Sequence, residues 1–137
     1  MHRLTRSQRG LPADTRLAVG RFARWLRERA SVRDDIIVQI ANAGSLQAGE
    51  SLAFGCFGWP KSRPVGRRFV WIFLAGRLPE QVIESGNCER SEAIESLLEV
   101  LAHEFAHYEQ WRAGKRPSER GAQRRAKQLV RQFQGDH

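Results

Sequence analysis

A chain of 137 residues with 41% hydrophobic and 28% charged side chains is built like one folded domain around a modest core, which excludes an intrinsically disordered polymer. Its longest apolar run, Phe69 to Ala75 (FVWIFLA), is far too short to cross a bilayer, so no membrane partner is expected. A net charge of +8, carried by 20 Arg and 3 Lys against 15 acidic residues, points either to a polyanionic partner or to solvated basic helix faces.

The first residues, 1–12 (MHRLTRSQRGLP), are polar, basic and aperiodic; they read as a flexible arm, leaving 13–137 as a single domain. They lack the apolar core and small-residue cleavage site of a secretory leader. From about Asp14 to Ala30, Leu17, Ala18, Phe22, Trp25 and Leu26 recur at helical spacing, with Arg16, Arg24 and Arg27 opposite. The β-branched segment 34–41 (DDIIVQIA) predicts a strand, and 42–50 (NAGSLQAGE) carries turn residues. A glycine-containing strand follows over 51–59 (SLAFGCFGW). Its small residues would allow close backbone approach, which suits an edge strand that receives an extended peptide. The connector 60–66 holds two prolines, and 67–76 (RRFVWIFLAG) predicts a more continuously apolar, central strand. After a break at 85–87, two helices are predicted, about 91–112 and 118–133, with Ser91 as the N-cap of the first. The fold class is therefore α+β: one helix, three strands, two helices.

Charge is unevenly spread. Residues 1–33 carry nine Arg against Asp14 and Glu28, and residues 111–137 carry eight Lys or Arg against Glu119 and Asp136. Between them, residues 78–110 hold eight glutamates and a single Arg90. The basic ends are candidates for nucleic-acid contact, although no recognition motif accompanies them. Cys56 and Cys88 are far apart and form no C-x-x-C pair, so a reduced, cytoplasmic chain is expected.

The chemistry-bearing motif is His103-Glu104-Phe105-Ala106-His107, an H-E-x-x-H pattern. Residues four apart on a helix lie one above the other, so both imidazoles reach one metal ion while the glutamate stands beside them as a base. At about 100° per residue, Ile94, Leu97, Leu98, Leu101, Phe105 and Tyr108 form one apolar stripe, and His103 and His107 fall on the opposite side near Val100 and Trp111. The histidines are therefore not core residues; a covered cleft or a solvated face remains. A catalytic zinc site takes three protein ligands and keeps one position open. His2 and His137 stand at the chain ends, and Glu109 points to the far side of the same helix. Glu119, just after Pro117 and Ser118, falls at the edge of the inward stripe Ala122, Ala126, Leu129, Val130 and Phe133, where its carboxylate needs a partner: a metal, or an arginine such as Arg112 or Arg120.

The segment LAHEFAHYEQWRAGKRPSERGAQRRAKQLV resembles the core of small gluzincin-type zinc metallopeptidases, which pair H-E-x-x-H with a downstream E-x-x-A helix, here Glu119 and Ala122. A weaker likeness to SprT-like proteases is set back because their third ligand is typically a histidine. The resemblance covers about residues 91–133 and implies a zincin-like fold with Zn²⁺ on His103, His107 and Glu119. It also implies Glu104 as general base toward a zinc-activated water, and protein or peptide substrates. The competing expectation is a basic binding module for nucleic acid or protein whose zinc is structural or vestigial.

Overall fold

The computed structural model describes residues 10–30, 34–59 and 68–136. The secondary structure is α1 (Ala13–Arg27), β1 (Asp34–Ala41), β2 (Leu46–Ala48), β3 (Ser51–Ala53), β4 (Gly55–Gly58), β5 (Arg68–Ala75), α2 (Leu78–Ser85), α3 (Arg90–Arg112) and α4 (Glu119–Asp136). The described residues thus form an α+β arrangement of four helices and a small sheet. None of these helices is long and apolar enough to cross a membrane.

The predicted central strand is central. β5 lies between β1, which runs parallel to it, and β4, which runs antiparallel, giving the order β1-β5-β4. Alternation turns Ile36, Val38 and Ile40 of β1 and Val70, Ile72 and Leu74 of β5 onto one buried face. There they meet Phe22 and Leu26 of α1 and Leu97, Leu101 and Phe105 of α3 in one core. Each fully buried side chain of this size contributes roughly 1.5–3 kcal/mol relative to an exposed one.

Several expectations are corrected. The strand expected over 51–59 breaks at Phe54 into β3 and β4. β3 pairs instead with β2, inside the segment read as turn, to form a separate two-stranded hairpin. Helix α2 was not foreseen; its eight residues give barely two turns of periodicity. Leu17 is 59% exposed, because the buried face of α1 is set by Thr15, Val19, Phe22, Ala23, Trp25 and Leu26. Helix α3 starts at Arg90, with the Glu89 N–H donating to Glu92 Oε1 (3.5 Å), so Ser91 sits inside the first turn rather than capping it. Residues 1–9 of the expected arm, the connector 60–66, His2 and His137 lie outside the described residues; Leu11 is already buried in the core. Cys56 and Cys88 are both free thiols.

Helices α3 and α4 pack along each other over a seam that places the site. Ala122 and Ala126 are fully buried in it, and their small side chains allow close approach. The far end of α4 is tied to α1. Asp136 accepts hydrogen bonds from Trp25 Nε1 (2.8 Å) and Arg29 (3.1 Å), while Phe133 packs tilted against Phe22 (ring centroids 4.8 Å apart) and edge-on against Trp25 (5.6 Å). At the near end Ser118 acts as the N-cap, its Oγ accepting from the Gly121 N–H at 3.0 Å.

Candidate metal centre

Along α3, Leu97, Leu98, Leu101, Phe105 and Tyr108 are buried against the sheet and α1, as the phase predicts. His103 and His107 emerge on the other side, half-buried, their ring centroids 4.9 Å apart. The first residue of α4 completes the group. Glu119 Oε2 lies 2.9 Å from His103 Nε2, and Glu119 Oε1 lies 2.7 Å from His107 Nε2. The three candidate ligand atoms all fall within 4.8 Å of one another. Neither Arg112 nor Arg120 is the partner of Glu119: Arg112 donates to Asp34 instead, at 3.1 Å.

One detail of the prediction is overturned. Glu119 is not on the buried side of its helix, since its side chain is 81% exposed. Burial along a stripe requires a neighbour to cover it, and in α4 that cover begins only at Ala122. Partnering is thus not forced by desolvation; it is set by where the first turn of α4 ends against the two imidazoles.

The other ring nitrogens define what those imidazoles offer. His107 Nδ1 is 3.0 Å from Gln110 Oε1 and His103 Nδ1 is 3.1 Å from Gln123 Oε1. The orientation of each amide follows from its further bonds. Gln110 Oε1 also accepts the Ser118 N–H (3.1 Å), and its Nε2 donates to the Ser118 carbonyl (3.1 Å). Gln123 Nε2 donates to Glu99 Oε1 at 3.2 Å. Both Gln oxygens therefore face the rings, so both Nδ1 atoms donate, and Nε2 of each ring is turned to Glu119, where it can donate to the carboxylate or, once deprotonated, give its lone pair to an ion. Two nitrogen lone pairs and one carboxylate, with the imidazoles oriented from behind, make a donor set suited to zinc. The motif reading passed over both glutamines. Their spacing was a usable signal: Gln110 is three residues after His107, and Gln123 four after Glu119.

Glu104 lies between the histidines in sequence and is 8% exposed. Burial raises its pKa above the ordinary carboxylate value, and the Glu119 charge adds a little; His103 and His107 oppose the shift. For Glu119, burial also acts upward and is the largest single influence, but hydrogen bonds and charge from both histidines together hold its pKa below the usual value. Gly55 of β4 comes so close to α3 that a Cβ there would stand 2.6 Å from Val100 Cγ1 and 3.2 Å from Glu104 Cγ. Glycine is what allows this strand to lie over Glu104.

The group opens onto a cleft of about 990 Å³. Its floor is α3, with Val100 and Trp111 on the histidine side as expected; its walls are Phe54, Gly55 and Phe57 of the β3–β4 segment and the first turn of α4. Phe57, Trp59 and Trp111 form an aromatic wall, with ring centroids 5.2–6.3 Å apart. Among the described residues β4 pairs only with β5, so it is an edge strand facing the cleft. Tyr108 is core: 2% exposed, its hydroxyl donates to Asp34 Oδ2 at 2.6 Å. Glu109 points away and pairs with Arg125 at 2.9 Å.

Comparison with protein-family models, curated proteins and solved structures gives no match for this chain.

Proposed function

We propose that the protein is a zincin-like, zinc-dependent peptidase of the H-E-x-x-H kind, with His103, His107 and Glu119 as the ligands and Glu104 as the general base. The observation that carries this reading is the convergence of His103, His107 and Glu119 from two helices at one cleft, with Glu104 beside them under the edge strand. Three protein ligands and an open side fit a catalytic zinc site better than a closed structural one. A zinc ion bound there supplies a Lewis acid that activates water and polarises a carbonyl.

The chain's own residues carry the rest. Gln110 and Gln123 hold both rings by Nδ1, keeping the Nε2 atoms turned to the ligand position. Glu104, with its pKa raised by burial, holds a proton more readily than a solvated glutamate, which suits a group that must accept one and pass it to a leaving amine. β4 offers backbone groups along its unpaired edge, and an extended peptide laid antiparallel or parallel to it would cross the face of His103 and His107. The Phe57, Trp59 and Trp111 wall suits an apolar substrate side chain.

The test is metal analysis and peptide cleavage on protein expressed in zinc-supplemented medium. The expected result is about one zinc per chain, lost in His103→Ala, together with cleavage that falls at least roughly 100-fold in Glu104→Gln while the zinc stays. Protein that retains no zinc overturns the metal reading. Zinc-loaded protein that cuts no member of a peptide library overturns the peptidase.

A further inference from the structure

Helix α4 carries cations on two sides, and they are used differently. On one side Arg125 is fixed by Glu109 through two hydrogen bonds, 2.9 and 3.1 Å. On the other side Arg120, Arg124, Lys127 and Arg131 are exposed and make no ion pair or hydrogen bond among the described residues. At about 100° per residue these four fall within a band roughly 60° wide. The band lies nearly opposite the buried stripe of Ala122, Ala126, Leu129 and Val130, displaced toward the Glu119–Gln123 edge that borders the cleft. With 1.5 Å of rise per residue, the row is about 16 Å long, a cation every 4.5–6 Å.

Four desolvation-free cations in a straight row, three of them guanidinium forks, match a regular line of phosphates better than the scattered carboxylates of a protein surface. The exposed Gln134 lies beside the row and adds a neutral donor for phosphate or sugar oxygen. No aromatic side chain stands in the row to stack on a splayed base; Phe133 points inward. We infer that the outer face of α4, through Arg120, Arg124, Lys127 and Arg131, binds the phosphate backbone of duplex nucleic acid without reading its sequence. This goes beyond the peptidase reading and does not depend on it, because none of the four residues belongs to the metal group. Where both hold, the duplex lies alongside the cleft.

The experiment is fluorescence-anisotropy binding of the full chain to two 20-bp duplexes of unrelated sequence, over a salt series. Wild type is expected to bind both equally, and the four contacts should account for about 3.6 units of the slope of log K on log salt. The variant Arg120→Ala/Arg124→Ala/Lys127→Ala/Arg131→Ala should lose most of that slope and at least tenfold in affinity at about 0.1 M salt. Each single alanine should lower the slope by about one. The control Arg16→Ala/Arg21→Ala/Arg24→Ala/Arg27→Ala removes the same charge from α1 and should keep the slope to within about one unit. Arginine-to-lysine changes at 120, 124 and 131 keep the charge and should restore the slope, which separates contact loss from misfolding. The inference is overturned if the α4 variant binds like wild type, if the α1 control carries the loss, or if polyglutamate of equal charge binds as tightly as the duplex.

Discussion

Helix α3 clamps a carboxylate twice, with the same spacing and opposite results. Tyr108 and Arg112, four residues apart, hold Asp34 at the start of β1 at 2.6 and 3.1 Å. His103 and His107, also four apart, hold Glu119 at the start of α4 at 2.9 and 2.7 Å. The Asp34 side chain is 0% exposed and that of Glu119 is 81% exposed. A neutral phenol and a guanidinium meet a carboxylate by giving it hydrogens, so the first clamp closes on buried Asp34 and serves the fold. Imidazoles with Nδ1 already engaged can turn Nε2 to the carboxylate as a donor or, deprotonated, to an ion as a lone pair, so only the second clamp could also hold a metal. Helical spacing brings a group together; side-chain chemistry and solvent access decide whether it is a fastening or a site.

The strongest way to break that contrast is to delete each carboxylate in turn. Asp34→Ala should destabilise the metal-free protein by about 3 kcal/mol in urea unfolding, because a buried phenol and a guanidinium lose their shared acceptor. Glu119→Ala should change metal-free stability by less than about 1 kcal/mol. Equal losses would show that both carboxylates are structural. Next in size is the response to zinc: at a hundredfold excess over Kd, wild type should gain about 2.7 kcal/mol of stability and His103→Ala none, as read from paired thermal melts. A chelator should remove the gain. Gln110→Ala tests whether the ring is held from behind. Its zinc affinity, read by competition with a chromophoric chelator, should fall roughly 10–100-fold while Asp34-dependent stability stays unchanged.

The smallest expected effect lies at the amino end of α3. Arg90 binds Asp14 through its Nε (2.6 Å) and also Glu80 (3.3 Å), and the hydrogen bond from Arg90 holds the Asp14 carboxyl below its ordinary value. A depressed carboxyl stabilises the fold above its unfolded pKa, near 3.8, and loses that contribution as pH falls through the folded value. Both side chains are well exposed, so Asp14→Asn should cost under about 1 kcal/mol at neutral pH, with the difference from wild type shrinking below about pH 4. A difference that persists unchanged at low pH would mean that the ion pair is not its source.

Much of the second clamp was legible in the sequence and almost none of the first. The phase of α3 separated the histidines from the Leu97–Tyr108 stripe because helical periodicity is local, and Pro117-Ser118 marked the start of α4 and hence the place of Glu119. The Asp34–Tyr108 bond joins residues 74 apart, and nothing periodic links a strand end to a helix face at that distance. Tyr108 was rightly placed in the core, but its hydroxyl partner was invisible. The break at Phe54 was hidden too, since a strand that changes partners from β2 to β5 keeps its β-rich composition while its hydrogen bonds move. Leu17 was misplaced because the buried face of α1 is fixed by contacts to α3 and α4, which a single helix does not contain.

Gln110 fastens His107 to the backbone of Ser118, and Ser118 caps the helix that begins with Glu119. The His103–His107–Glu119 cluster is therefore also a joint: the 113–118 segment and the first turn of α4 must be docked for Glu119 to face the two imidazoles. Any fraying of that turn dismantles the site without unfolding the core, and any ion held there resists the fraying by the same free energy. Amide hydrogens of Gly121 and Ala122 should consequently exchange faster in metal-free protein than in zinc-loaded protein, while those of β5 exchange alike in both. On the proposed metal reading, the joint is a latch whose tightness would report occupancy.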